Sequence, residues 1–252
     1  MPADAAPAGY VRVAAGDRVA VVLAAHEEDA RRMLAKGSLY DAAASDPGAR
    51  PLHGRGVAYA IALPVSGTRA VVRHNRHGGV LAPLTRDLFL PPTRAPRELA
   101  IAQRLRELGV PTPEVLMYGT SPAPFPFRRA DVVTREVDGG RDLSAFMARD
   151  VGQSARTDAW SATCALVRAM NDAGARHHDL NVKNVLLAPS AAGLVAWLLD
   201  VDRVTFGAPG SAEIAAGNVA RLRRSARKWR DLWGAQFDEG LLAPLDATEV
   251  AR

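Results

Sequence analysis

The stretch His177-His178-Asp179-Leu180-Asn181-Val182-Lys183-Asn184-Val185-Leu186-Leu187 decides how this chain is read, together with Asp200, which stands thirteen residues after Leu187. The run Leu194 to Leu199 leads into Asp200 and is apolar enough to be a strand. The spacing H-x-D-L-x-x-x-N, followed by an Asp at a strand end, is that of a phosphotransferase catalytic loop and its metal-binding carboxylate. The chemistry explains the residue types. Transfer of a phosphoryl group to an alcohol needs a carboxylate to orient the hydroxyl and accept its proton, and hard oxygen ligands to hold Mg²⁺ against the phosphates. Asp179 fits the base, and Asn184 and Asp200 fit the metal ligands. His177 fits a structural support of the loop, because it lies two residues before the base. The plainer reading, in which such residues cap helices and line loops, serves any one of them alone. It does not account for the whole set placed after a helix and between strands.

Working outward, the first 75 residues are β-rich. Tyr10 to Val13 and Val19 to Leu23 flank Ala-Gly-Asp as a hairpin, and Val57 to Leu63 and Ala70 to His74 form two strands joined at Ser66-Gly67. Between them, residues 27 to 36 place Glu27, Glu28 and Asp29 ahead of Arg31, Arg32 and Lys36, the charge order that complements a helix dipole. A loop containing Pro and Gly is expected next. Arg97 to Leu108 reads as an amphipathic helix ending at Gly109, and Val115 to Tyr118 and Asp131 to Val137 read as strands around a Pro-rich loop. Beyond Gly139-Gly140 the pattern becomes helical at about 142 to 149, 156 to 173 and 213 to 230, with strands at Val185 to Leu187 and Leu194 to Leu199. The expected architecture is therefore α+β, with a β-rich lobe over 1–137, a mainly helical lobe over 138–252, and a ligand-binding cleft between them.

Composition limits the function classes. The 252 residues include a single cysteine, Cys164, which excludes a disulfide partner within the chain and any multi-thiolate metal site. No run of 18 apolar residues occurs, and Met1 to Gly9 lacks a basic segment followed by an apolar one, so neither a membrane span nor export is expected. Of 32 basic residues only Lys36, Lys183 and Lys228 are lysines. The net charge of +5 is local: without the six basic residues from Arg221 to Arg230, 26 basic residues face 27 acidic ones, a balance of −1.

The string His177 to Leu187 resembles the protein-kinase-like superfamily, and more narrowly the lipopolysaccharide sugar kinases, whose string is H-A-D-L-N-x-x-N-I-L-L. Asn181, where a protein kinase has Lys, tips the choice. Three further strings resemble those of 3-deoxy-D-manno-octulosonic acid (Kdo) kinases. Gly54-Arg55-Gly56 is similar to the family's short G-R-G glycine loop, and Val71-Val72-Arg73-His74-Asn75-Arg76-His77-Gly78-Gly79 to V-L-R-H-Y-R-R-G-G. Asn218 to Ser225 is similar to the tail motif N-x-x-R-L-R-R-S. Asp200-Val201-Asp202-Arg203 stands near the family's D-F-D-R, and only about ten residues separate Arg203 from the next helix. That leaves no room for a long activation segment and argues against a regulated protein kinase.

The resemblance covers roughly residues 50 to 230 and implies a protein-kinase-like two-lobed fold, ATP and Mg²⁺, and transfer to the 4-hydroxyl of Kdo in Kdo-lipid A. Gly54, Arg55 and Gly56 would approach the phosphates. Arg73 would stand in for the phosphate-gripping strand Lys, paired with Glu98, and the backbone near Glu136 and Val137 would read adenine. An Arg can make a forked contact to phosphate and carboxylate, so the exchange is chemically sound. Arg76 is a candidate substrate ligand, and Asp202 a candidate second metal or substrate ligand. Arg223, Arg224 and Arg227 are candidate substrate ligands too, on a helix face that would meet lipid A phosphates or an anionic membrane surface. Aromatic platforms are sparse, so nucleic acid is not an expected partner. The implied location is the cytoplasmic side of the inner membrane, peripherally bound. A heptose or antibiotic phosphotransferase and a silent nucleotide-binding pseudokinase remain as alternatives; Asp179, Asn184 and Asp200 together speak against silence.

Overall fold

The computed structural model describes residues 6–54, 56–75 and 88–246. Within it the chain divides into two compact units, Met1–Ala100 with Glu114–Glu136, and Ile101–Pro113 with Val137–Arg252. The chain passes from the first unit to the second after Glu136, and residues 101–113 group with the second unit. The reason is a pair of hydrogen bonds: Leu198 N–H donates to the Pro111 carbonyl at 2.8 Å, and the Thr112 hydroxyl donates to the Leu198 carbonyl at 2.9 Å.

The first unit is a seven-stranded antiparallel sheet. Its strands are β1 (Tyr10–Ala15), β2 (Arg18–Leu23), β3 (Arg50–His53), β4 (Val57–Ala62), β5 (Arg69–His74), β6 (Val115–Pro122) and β7 (Arg128–Arg135), in the spatial order β1-β2-β6-β7-β5-β4-β3. Helices α1 (Glu27–Lys36) and α2 (Leu39–Ala44) supply Ala30, Met33, Leu34 and Leu39 to one core with Val22, Val72, Met117 and Val133. The period of two along β5 sends Val72 into this core and Arg73 to the opposite face. His74, again on the core side, stacks on Tyr40 at 3.6 Å and lies 2.6 Å from Asp131.

α2 occupies part of the span expected to be a loop. A capping box makes it: the Ser38 hydroxyl accepts from Asp41 N–H at 3.0 Å, and the Asp41 carboxylate accepts from Ser38 N–H at 3.4 Å. The helix is too short to show a period in sequence, but the Ser-x-x-Asp signature was present.

The second unit contains α3 (Ala95–Glu107) from Ile101 onward, followed by β8 (Arg141–Asp142), α4 (Leu143–Phe146) and the 20-residue α5 (Gln153–Asp172). Then come β9 (Ala175–His177), β10 (Val185–Ser190), β11 (Gly193–Leu198), β12 (Val204–Phe206), the 22-residue α6 (Ala212–Trp233) and α7 (Ala243–Asp246). Trp160, Cys164, Val167 and Met170 of α5 are buried at helical spacing. β8, β10 and β11 form one small antiparallel sheet, and β9 and β12 form another. No described helix is long and apolar enough to cross a membrane.

Gly174 turns the end of α5 into β9 with φ of +65°, and a Cβ there would meet the Gly207 carbonyl oxygen at 2.4 Å. Left-handed strain and overpacking act together at this position, so Gly174→Ala should cost roughly 2–4 kcal/mol and lower Tm by several degrees in thermal denaturation.

Candidate active site

β9 delivers the chain into the loop that holds Asp179. His177 is fully buried at the end of β9, and its imidazole braces the loop from inside. Nδ1 accepts the Asp179 N–H at 3.0 Å, so the ring proton sits on Nε2 and is donated to the Leu199 carbonyl at 3.2 Å. Burial pushes the His177 pKa below its ordinary value, against the opposing effect of the Leu199 carbonyl and the nearby Asp200, Asp179 and Asp202 carboxylates. A neutral ring is what keeps Nδ1 an acceptor.

The other peptide group of Asp179 is pinned as well. Its carbonyl accepts from the Asn181 side chain at 2.8 Å and from the Asn184 side chain at 2.9 Å, while Asn181 Oδ1 accepts from Lys183 N–H at 2.9 Å. Asn181, which pointed to a family in the sequence, is thus a loop brace. Asn184 is buried, and its main-chain carbonyl accepts from Leu199 N–H at 2.9 Å, tying the loop to the chain entering Asp200. Lys183 is anchored to Asp142 at 2.9 Å and lies 5.3 Å from the centre of the Trp229 ring.

Asp200 has φ 53° and ψ 47°, and it is the one described residue other than glycine with positive φ. Asp tolerates this region better than most residues, yet it still carries strain of the kind that gathers at functional sites. Val201–Arg203 then forms a single 3₁₀ turn containing Asp202, and β12 pairs at once with β9. The short connection after Arg203 is as expected.

The donor chemistry fits Mg²⁺. Among the described residues no three His, Cys, Asp or Glu side chains gather as a metal centre, so a resident ion would rely on the Asn184 carboxamide, the Asp200 carboxylate and phosphate oxygens. Mg²⁺ is usually held in this way, through one or two protein oxygens and the substrate's phosphates. Because Asn184 Nδ2 is donated to the loop, Oδ1 is the amide atom that would be left for an ion.

α6 grips the same loop from its far side. Asn218, fully buried, accepts the His177 N–H at 3.1 Å and donates to the Ala175 carbonyl at 2.9 Å and to Asn171 Oδ1 at 3.0 Å. One turn pair further on, the Ser225 hydroxyl accepts the Val182 N–H at 3.2 Å. Both residues were visible in the tail motif, but in the sequence that motif reads through its arginines.

Two of those arginines have acid partners. Arg223 is bonded to Asp246 at 2.8 Å and lies 3.4 Å from Glu239, and Arg227 makes two bonds to Glu239 at 2.5 and 3.0 Å. Arg227 raises its own pKa and lowers that of Glu239 through this pair. The acids come from beyond the helix, so the cluster without an acid in sequence is half neutralised in space. Arg224 is exposed on another face of α6.

In the first unit, Arg73 and Glu98 do meet. Arg73 Nη2 donates to Glu98 Oε1, and Nη1 donates to Asn75 Oδ1 at 3.1 Å. Gly54 N–H bonds the Gly56 carbonyl at 3.0 Å in the turn between β3 and β4. Arg55 and Arg76 lie outside the described residues. The strand expected through Val137 stops at Arg135, because Glu136 is captured by Arg50 at 2.6 Å and Arg69 at 3.0 Å, with its N–H on the Arg69 carbonyl. The Val137 carbonyl accepts from Gly140 N–H at 3.1 Å. Of the backbone groups assigned to adenine, these two are already engaged.

A model of the lipopolysaccharide kinase (Kdo/WaaP) family matches residues 49–239. The chain belongs to this family. Three relatives, each named 3-deoxy-D-manno-octulosonic acid kinase, come from Actinobacillus succinogenes, Haemophilus influenzae and Stenotrophomonas maltophilia. They are 31%, 29% and 33% identical, over 74%, 74% and 72% of this chain and 78%, 78% and 71% of their own lengths. A solved structure described as WaaP in complex with acyl carrier protein has 18% identity and a TM-score of 0.48, over 86% of this chain and 95% of that one. Membership makes the chain a kinase, a phosphotransferase acting on a hydroxyl group, and the resemblance read from the strings was to the right family.

The loop geometry separates two effects. Asn218→Ala would leave the His177 N–H and Ala175 carbonyl buried without partners, and should cost roughly 2–4 kcal/mol in chemical denaturation. Ser225→Ala removes one bond at the loop's exit, so stability should fall by about 1 kcal/mol while turnover falls more than fivefold at unchanged nucleotide KM.

Proposed function

We propose that the chain transfers the γ-phosphoryl group of ATP to the 4-hydroxyl of Kdo in a Kdo-bearing lipid A precursor. The observation that carries this reading is the held loop: both peptide groups flanking Asp179 are pinned, by a neutral histidine on one side and two asparagine amides on the other. A base fixed in this way orients the acceptor hydroxyl for in-line attack and accepts its proton as the new P–O bond forms. Mg²⁺, held by Asn184 and Asp200, would neutralise charge on the transferring phosphates. Arg73, set in its fork by Glu98 and Asn75, would grip the nucleotide phosphates. The Glu136 carbonyl and the Val137 N–H are the backbone groups proposed for adenine. The names of the relatives support Kdo as the acceptor sugar, and the resemblance supplies the hydroxyl.

The acceptor is a lipid, and α6 offers a face for its surroundings. Arg221, Arg224 and Lys228 follow one another at steps of three and four, and among the described residues none pairs with an acid. Leu232 continues the stripe, 62% exposed, beside Trp233 at 60%. Cations flanked by exposed apolar side chains suit the surface of an anionic bilayer, which supports a peripheral site of action at the cytoplasmic face of the inner membrane.

The deciding assay supplies labelled ATP, Mg²⁺ and Kdo-lipid A. Label on the Kdo-bearing lipid is expected, and label only on a heptose, an aminoglycoside or protein would overturn the substrate. Asp179→Asn should lower turnover by about 10²-fold or more, and an unchanged rate would remove Asp179 from its role. In sedimentation with phosphatidylglycerol vesicles, changing Arg221, Arg224 and Lys228 to Ser should weaken binding by about 10²-fold, while changing Arg223 and Arg227 to Gln should have a far smaller effect. Equal losses would show that the two faces do not differ.

A further inference from the structure

Asn75 is 4% exposed and follows β5 directly. Its backbone asks for nothing special: the N–H simply continues the ladder, donating to the Ala130 carbonyl at 2.8 Å, a bond most residues would make. The side chain is different. Two residues after Arg73 in an extended chain, it lies on the same face as Arg73, and its Oδ1 accepts from Arg73 Nη1. That bond fixes the amide's orientation, because arginine has only donors to offer. The other end of the amide, Nδ2, is enclosed and has no hydrogen-bond partner among the described residues.

A buried amide satisfied at only one end is a poor structural choice. The unpaired donor loses its hydration with no return, whereas an apolar residue of similar shape would lose nothing. Violations of this kind are tolerated where function needs them. The one thing the amide does with its side chain is hold the guanidinium on the side away from Glu98. With both Nη atoms engaged by different acceptors, the plane of the Arg73 fork is set. In the string V-L-R-H-Y-R-R-G-G that this segment resembles, the residue corresponding to Asn75 is Tyr.

We infer that Asn75 is a positioning residue that presets the Arg73 guanidinium for the phosphates of the nucleotide. This rests on the proposed role of Arg73. Asn75 does not meet the reacting atoms; it acts through Arg73, by removing rotamer freedom that phosphate binding would otherwise have to remove.

The test uses the full chain and compares ATP with adenosine, which lacks the phosphates, by calorimetric titration, alongside thermal denaturation. Asn75→Leu removes the acceptor and the orphaned donor together. It should keep Tm within about 2 °C of the parent or raise it, weaken ATP binding about tenfold, and leave adenosine binding unchanged. In an Arg73→Leu background the same change should have no further effect on ATP, since there is no guanidinium left to position. Parallel loss of Tm, ATP and adenosine binding would assign Asn75 to packing and overturn the inference, as would an equal ATP penalty with and without Arg73. If Arg73→Leu alone bound ATP like the parent, the role of Arg73 would fall first, a signature distinct from the other two.

Discussion

Buried hydrogen bonding around residues 177–184 is the constraint on which the second unit depends. A loop that carries a carboxylate base has many polar main-chain groups and little apolar surface, so it cannot hold itself in place by burial alone. Here its N–H and C=O groups are taken up one by one: by the His177 ring, by the Asn181 and Asn184 amides, and by Asn218 and Ser225 on α6. Each partner is itself fixed. Asn218 spends all three of its bonds within the core, and the His177 ring proton is spent on Leu199. The result is a loop whose backbone at Asp179, the proposed base, is set before any substrate arrives, and preorganisation of this kind is the main lever a protein has on phosphoryl transfer.

The first unit solves a parallel problem with a cation. The cation proposed to grip the nucleotide phosphates is an arginine on β5, and a planar fork is more demanding to aim than an ammonium point. Glu98 and Asn75 supply the two acceptors that aim it, while Val72 and His74 on the other side of the strand fix the strand against α1 and α2. The two face assignments follow from one alternation, so the packing that makes the sheet also orients the site.

α6 shows how a charge cluster changes meaning in space. Six basic residues follow one another without an acid in the sequence, but Glu239 and Asp246 arrive from the segment beyond the helix and neutralise one face. The other face keeps its cations and adjoins exposed Leu232 and Trp233. Buried Asn218 and half-buried Ser225 lie along the same helix, so one element both braces the loop and presents a charged surface.

The sequence by itself determined the catalytic string, the α+β pattern, most element positions and the family, because these rest on short-range spacing: the alternation of β5, the helical period of α5, and the H-x-D-L-x-x-x-N string. It also held the Ser38/Asp41 capping box, although a six-residue helix shows no period. Only the tertiary structure decided which cations stay uncompensated, where β7 stops, and which side chains hold the loop and the Arg73 fork. Those outcomes depend on partners 12 to 86 residues away, such as Glu239 for Arg227, Asn218 for His177 and Arg50 for Glu136. A hydrogen bond or ion pair over such a distance leaves no mark in local sequence; it exists only once the backbone has brought the two groups to within about 3 Å.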